Sequence, residues 1–171
     1  MTSKHPTRCA RRSPPTTDAR EEAARSGVTP ELIQAYRETV FELQEPTPLA
    51  LRIGEADDAL RVVHAKFGVS ESCFVTAYNP RSELLTDDEN AARHRALCEE
   101  LRASRRTFFV GEGGHPTGSW PKEQGVLVLG LTEDDARALG NRWDQNAVVW
   151  SGADAVPRLL VLRGTAQSEA P

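Results

Sequence analysis

The chain has 171 residues, of which 39% are hydrophobic and 27% charged, and a net charge of −4. That is one domain's worth of ordinary globular protein, long enough to bury a core. No apolar run approaches the roughly 18 residues that a membrane span needs, so no membrane role is expected. The charge is uneven: residues 1–28 carry a balance of +3 and the remainder a balance of −7. An acidic body of this kind has no basic footprint for a phosphate backbone, which argues against nucleic acid as a partner.

Residues 1–28 are rich in Arg, Ser, Thr, Pro and Ala without apolar periodicity. They read as a disordered basic tail, and the folded domain is expected over 29–163. Thr29-Pro30 opens a helix, since threonine caps and proline suits the first turn. Leu32, Ile33, Tyr36 and Val40 continue it at helical spacing, up to Pro46 and Pro48. Leu49, Leu51 and Ile53 alternate with polar or small residues, as in a strand with one buried face. Leu60, Val63 and Phe67 form one face of a second helix, stopped by Gly68.

Cys73-Phe-Val-Thr-Ala-Tyr78 is apolar on both faces, apart from one threonine, and predicts a central strand covered above and below. Asn79-Pro80 breaks it. Thr86-Asp-Asp-Glu89 is a capping box with acids in the first helical turn, where the helix dipole favours them. The helix it opens runs to about Ala103, with Asn90, His94, Leu97, Cys98 and Leu101 on its inward stripe.

Two apolar runs, Thr107-Phe-Phe-Val110 and Gly125-Val-Leu-Val-Leu129, predict buried strands. Between them lies a long loop, Gly111 to Gln124, with four glycines, two carboxylates, a histidine and a tryptophan. Loops of this length inside a compact domain are usually functional or disordered. Thr132-Glu-Asp-Asp135 opens a helix through Trp143, with Gly140 on its apolar face for close approach to a sheet. Asn146–Trp150 and Arg158–Leu162 read as a hairpin, and residues 164–171 as a second disordered tail. The expected fold is a single α+β (mixed α/β) domain, with a mixed sheet of about five or six strands and about four helices packed on it.

Several polar groups fall where sites form. Asn79 follows a central strand and Asn90 sits in the first turn of the next helix, so the two could face one crevice and bind ligand. Each could equally satisfy local backbone groups. In the loop, Glu123 and Glu112 are candidate catalytic carboxylates for acid–base work. Its glycines would turn the chain or admit backbone close to a ligand. His115 is a candidate proton carrier or ligand contact, and Trp120, amid glycine and proline, a candidate pocket wall. Gln145 could add specificity at the start of the next strand.

His94 and Cys98 lie four apart on a helix face, half of a metal site without a second ligand pair, so no metal is assigned. No cofactor signature is present: the glycines lack the ending of a phosphate loop, and no nucleophile elbow occurs. Three cysteines without a CxxC pair read as reduced thiols in a cytoplasmic protein.

The segments Phe74-Val-Thr-Ala-Tyr-Asn-Pro80, Asn90 with its helix, Gly111-Glu-Gly113, Trp120-Pro-Lys-Glu123 and Gln145-Asn-Ala-Val-Val-Trp150 occur in that order. Together they resemble a bacterial family of uncharacterised proteins, domain of unknown function 3293. The likeness runs from about Tyr36 to Leu162. The family pattern resembles Trp-Pro-Glu-Glu, and here Lys122 takes the place of the first acid. The resemblance implies a bacterial cytoplasmic protein and brings no activity with it. Two readings follow. One is a domain with a ligand-binding or catalytic pocket for a small polar ligand, built from Asn79, Asn90 and the 111–124 loop. The other is a non-catalytic module that binds a protein partner through the Trp120 loop.

Overall fold

A computed structural model of the protein describes residues 27–118 and 121–162. The expectations for both tails, and for Trp120, fall outside these residues except at Gly27 and Val28. Val28 is fully buried.

Among the described residues, four α-helices and seven strands follow in the order α1 (Pro30–Glu38), β1 (Val40–Leu43), β2 (Leu49–Arg52), α2 (Asp58–Phe67), β3 (Ser72–Thr76), α3 (Asp87–Ala103), β4 (Phe108–Gly114), β5 (Glu123–Leu129), α4 (Glu133–Arg142), β6 (Ala147–Ser151) and β7 (Pro157–Val161). The strands form one sheet in the order β2-β1-β4-β5-β3-β6-β7. Every neighbouring pair is antiparallel. The architecture is therefore α+β as expected, but the sheet has seven strands rather than five or six, and it is not mixed. The reason is topological. β1–β2, β4–β5 and β6–β7 are hairpins, and β3 joins the last two by sliding between β5 and β6.

The additional strand is β1. Helical spacing was expected to carry through Val40, but α1 ends at Glu38 and Thr39 is already extended at φ −67°, ψ 137°. Val40 and Phe41 suit a strand, and the backbone of Val40–Leu43 bonds to β2 on one side and β4 on the other. Pairing on both edges outweighs a local helical pattern.

Local start and stop signals appear where the residues place them. Thr86 accepts from the Glu89 amide while the Glu89 carboxylate accepts from the Thr86 amide, a complete capping box. Thr132 caps α4 through the Asp135 amide, and Gly68 ends α2 in the left-handed region. Helices α3 and α4 pack Leu97, Cys98, Leu101, Ala136 and Leu139 onto one face of the sheet, against Cys73, Val75, Val126, Val128 and Val148. Helix α2 packs Leu60 and Val63 onto the other face, against Leu43, Leu51, Phe74, Leu127 and Val149. Gly140 permits the first of these contacts. A methyl group there would lie 2.4 Å from Leu162 Cδ1 and 2.6 Å from Val148 Cγ1.

The glycine-rich stretch is mostly strand. β4 continues through Gly114 and β5 begins at Glu123, leaving only residues 115–122 as connection. Glycine weakens a strand because it packs nothing, and here neighbouring rings fill the space. Gly111 and Gly125 are cross-strand partners, and the Phe74 ring lies over both. A methyl on Gly125 would meet Phe74 Cε1 at 2.5 Å, and one on Gly111 would meet Cε2 at 3.2 Å. Gly113 makes the same room for Phe41. The two rings stand 4.9 Å apart, tilted by 51°. Gly125→Ala should therefore lower stability by about 1–3 kcal/mol, as overpacking does. A urea titration with an unchanged midpoint would contradict this account of the glycines.

Candidate functional site

The end of β3 leads into a tightly wound segment. Asn79, Arg81 and Ser82 all have positive φ, at 43°, 55° and 61°. Non-glycine residues held there cost of order 1–3 kcal/mol each and persist only where surrounding contacts determine them. The contacts are present. The Asn79 amide donates to Asn90 Oδ1 at 2.8 Å. Asn79 Oδ1 accepts from the Leu85 amide at 3.0 Å and from Asn90 Nδ2 at 3.0 Å. Arg81 is bonded to Asp144 by both its amide and its guanidinium. Asn146 Nδ2 donates to Ser82 Oγ at 2.9 Å.

This segment is also tied to β5. Asn79 Nδ2 donates to Glu123 Oε1 at 2.7 Å. Asn79, Asn90 and Glu123 come from a turn, a helix start and a strand start, and they meet at one place. They border a recess of about 620 Å³, within the range of small-molecule sites. Phe41, Phe74, Val149 and Leu159 give it an apolar floor. Leu32, Ala35 and Tyr36 of α1 form its roof. None of the residues of α1 is fully buried, because its apolar side covers the recess instead of packing into the core.

Gln145 and Asn146 enter from the start of β6 and are only 7% and 6% exposed. Gln145 Nε2 donates to the carbonyls of Tyr78, at 3.1 Å, and Trp143, at 3.3 Å. Arg93 strengthens the same corner, bonding the Ala77 and Trp143 carbonyls. Tyr78 lines the recess, and burial, then the charges of Asp87 and Glu123, push its phenol above the ordinary value.

The other expected site residues lie elsewhere. Glu112 is one register step from Glu123: Gly113 pairs with Glu123 and Glu112 with Gln124. Successive residues of a strand point to opposite faces, so the two carboxylates are separated by the sheet and do not share a pocket. Glu112 instead joins Glu42 around the Lys122 ammonium, and both carboxylates hold that ammonium well above its usual pKa. His115 also lies away from the recess. Its Nδ1 contacts Thr117 Oγ1 at 2.7 Å and its Nε2 contacts Glu38 Oε2 at 3.1 Å, which fastens the 115–122 connection to the end of α1. Trp120 is not among the described residues. Spacing puts Tyr36 on a helix and Phe74 in a buried strand, and it singles out neither Ser82 nor Phe41. Their part in the recess depends on strand order, which no local pattern signals.

Among the described residues, no group of three His, Cys, Asp or Glu gathers to hold a metal ion. None of the described helices is long and apolar enough to cross a membrane. Residues 75–148 match the family described as protein of unknown function, DUF3293. The resemblance is to that family. The DUF3293 match is narrower than Tyr36–Leu162. It includes Asn79, Asn90, Glu123, Gln145 and Asn146 but neither the α1 roof nor Phe41 and Phe74. No curated protein and no solved structure matches the chain.

Two buried histidines set a pH dependence of the fold. His94 lies behind Tyr78, their rings edge to face at 6.3 Å. Among the described residues its Nδ1 has no hydrogen-bond partner, and its Nε2 is 3.7 Å from Cys98 Sγ. His64 is held to Ser72 Oγ at 2.9 Å. Burial lowers both from the ordinary 6.5. The unfolded chain therefore takes up protons first as the pH falls through 6.5, and stability drops from there down to the folded-state values. The denaturant midpoint should fall between about pH 7 and pH 5.5, and His94→Leu should lessen the fall. Equal slopes for variant and parent would contradict a neutral buried His94.

Proposed function

We propose that the protein binds a small molecule in the recess between α1, the 79–85 segment and the starts of β5 and β6, and that Glu123 acts there as acid or base. The observation that carries this reading is the 2.7 Å bond from Asn79 to Glu123. It brings a carboxylate to the wall of a recess with an apolar floor and fixes its position. Asn79 and Asn90 serve as positioning residues, since their carboxamides bond each other, Leu85 and Glu123. Tyr78 and Gln145 complete the polar wall. The Glu112–Lys122–Glu42 cluster braces β1, β4 and the entry to β5 from the far side of the sheet.

A polar network this complete along the wall of a recess with an aromatic floor fits a ligand site. Cys73 and Cys98 are both free thiols and both buried, which fits a reducing compartment. We infer a bacterial cytoplasmic location, which these thiols and the family resemblance support.

A thermal-shift screen of small metabolites tests this. A ligand present at about 100 times its Kd should raise Tm by about 5–10 °C. Glu123→Gln keeps an acceptor for Asn79, so it should retain the fold and lose most of that shift. A variant that responds as the parent does would contradict the role given to Glu123.

A further inference from the structure

A groove of about 860 Å³ lies on the opposite face of the sheet from the recess. Phe108, Val110 and Glu112 line it, and their side chains leave β4 on the side away from Gly113, which lines the recess. Along this groove β4 outruns its neighbour. β1 pairs with Gly111–Gly114 only, so Phe108, Phe109 and Val110 pair with β5 on one side and with no strand on the other. We propose that this open edge binds the extended C-terminal segment of another protein, added as a strand antiparallel to β4 with its carboxylate beside Arg102 and Arg106.

The ladder shows which backbone groups are open. The Leu129 amide donates to the Thr107 carbonyl at 2.9 Å, which sets the phase of the β4–β5 pairing. Odd-numbered residues of β4 direct N–H and C=O toward β5, and even-numbered ones direct them away. Glu112 and Gly114 meet Glu42 and Val40 on that far side. β1 turns off after Leu43, and none of the described residues bonds there to the N–H or C=O of Phe108 or Val110. Val110 is also 49% exposed. A row of open backbone groups flanked by apolar side chains is a template for an added strand. Gln44 and Glu45 wall the groove on one side and Arg102 and Arg106 on the other. Those walls favour a single extended segment over the sheet edge of a second copy.

Charge sets the direction and the end group. A segment antiparallel to β4 takes up the line that β1 leaves, and its C-terminal end arrives beside Phe108. The Arg102 guanidinium lies there, 5.5 Å from the Phe108 ring centre, and pairs with no carboxylate among the described residues. Arg106 donates to the Gly130 carbonyl at 3.2 Å and meets Asp135 loosely, at 3.7 Å. A terminal carboxylate accepts from both guanidinium groups. The chain's own residues 1–28, with a balance of +3, have the wrong sign for this end. In such a ladder the last and third-last side chains of the segment lie beside Phe108 and Val110, so apolar residues suit those two positions.

The test uses the full chain and the pentapeptide acetyl-KTVTV with a free carboxylate. In the protein alone, the amides of Phe108 and Val110 should exchange with solvent about tenfold or more faster than that of Phe109, which faces β5. Equal protection would mean that a second copy or residues 163–171 already cover the edge, and would overturn the proposal. The peptide should move the amide signals of Phe108 and Val110 and slow their exchange. Methylating the nitrogen of its third-last residue, the donor to the Val110 carbonyl, should weaken binding by about fivefold, the worth of one backbone bond. A carboxamide in place of the carboxylate should also cost about fivefold. Arg102→Gln, at an exposed position, should lower the affinity of the free acid by about threefold and leave that of the carboxamide unchanged. Equal binding of acid and carboxamide would overturn the end-group assignment. A peptide that leaves the Phe108 and Val110 signals in place, or moves only those around the recess, would overturn strand addition and leave the reading of the recess untouched.

Discussion

The hydrogen bond from Asn79 to Glu123 is the constraint on which the rest of the site depends. β3 is an interior strand of the sheet, between β5 and β6, and the chain leaving it must turn sharply before α3 begins. Three non-glycine residues there hold left-handed backbone angles, an arrangement that contacts must enforce. Asn90, at the buried start of α3, supplies two of those contacts, and Glu123, at the start of β5, supplies another. The complete capping box at Thr86 and Glu89 fixes where α3 starts, and so where Asn90 points. Local helix chemistry thereby sets a nonlocal site.

The recess exists because two layers that meet elsewhere stay apart here. On this face of the sheet α2 packs into the cluster of Leu51, Phe74, Leu127 and Val149, whereas no residue of α1 is fully buried and its Leu32, Ala35 and Tyr36 line the recess. The floor is smooth because Gly111, Gly113 and Gly125 let the rings lie against the backbone. Aromatic rings over strand glycines are a recognised way to stabilise such strands. The same glycines thus serve the fold and the shape of the site.

Much of this was legible in the residues themselves. Capping at Thr86 and Thr132, the Gly68 stop, the both-faced apolar β3 and the close approach at Gly140 are local signals with local causes. Asn79 and Asn90 could be expected at one crevice because a strand end and a helix start flank the same turn. Strand order could not be read. Val40 looks helical until β2 and β4 are known to pair on either side of it. Gly111–Gly114 looks like loop until Phe41 and Phe74 are known to fill the space above it. Glu112 and Glu123 look like partners until their register places them on opposite faces. Each misreading concerns a contact between residues distant in the chain, which is where composition and spacing carry least information. Gln145 is legible as a polar residue at a strand start, but its bonds to the Tyr78 and Trp143 carbonyls follow only from those residues lying beside it.

A double-mutant cycle on Asn79 and Glu123 probes the central claim most directly. Asn79→Ala, Glu123→Ala and the pair would be compared by denaturant unfolding. Any strain relieved at position 79 enters both sides of the cycle and cancels. If the bond locks the 79–85 segment to β5, the two substitutions should show a coupling of about 0.5–3 kcal/mol. Effects that simply add, within about 0.3 kcal/mol, would mean that the two residues act independently, and the site described here would lose its foundation.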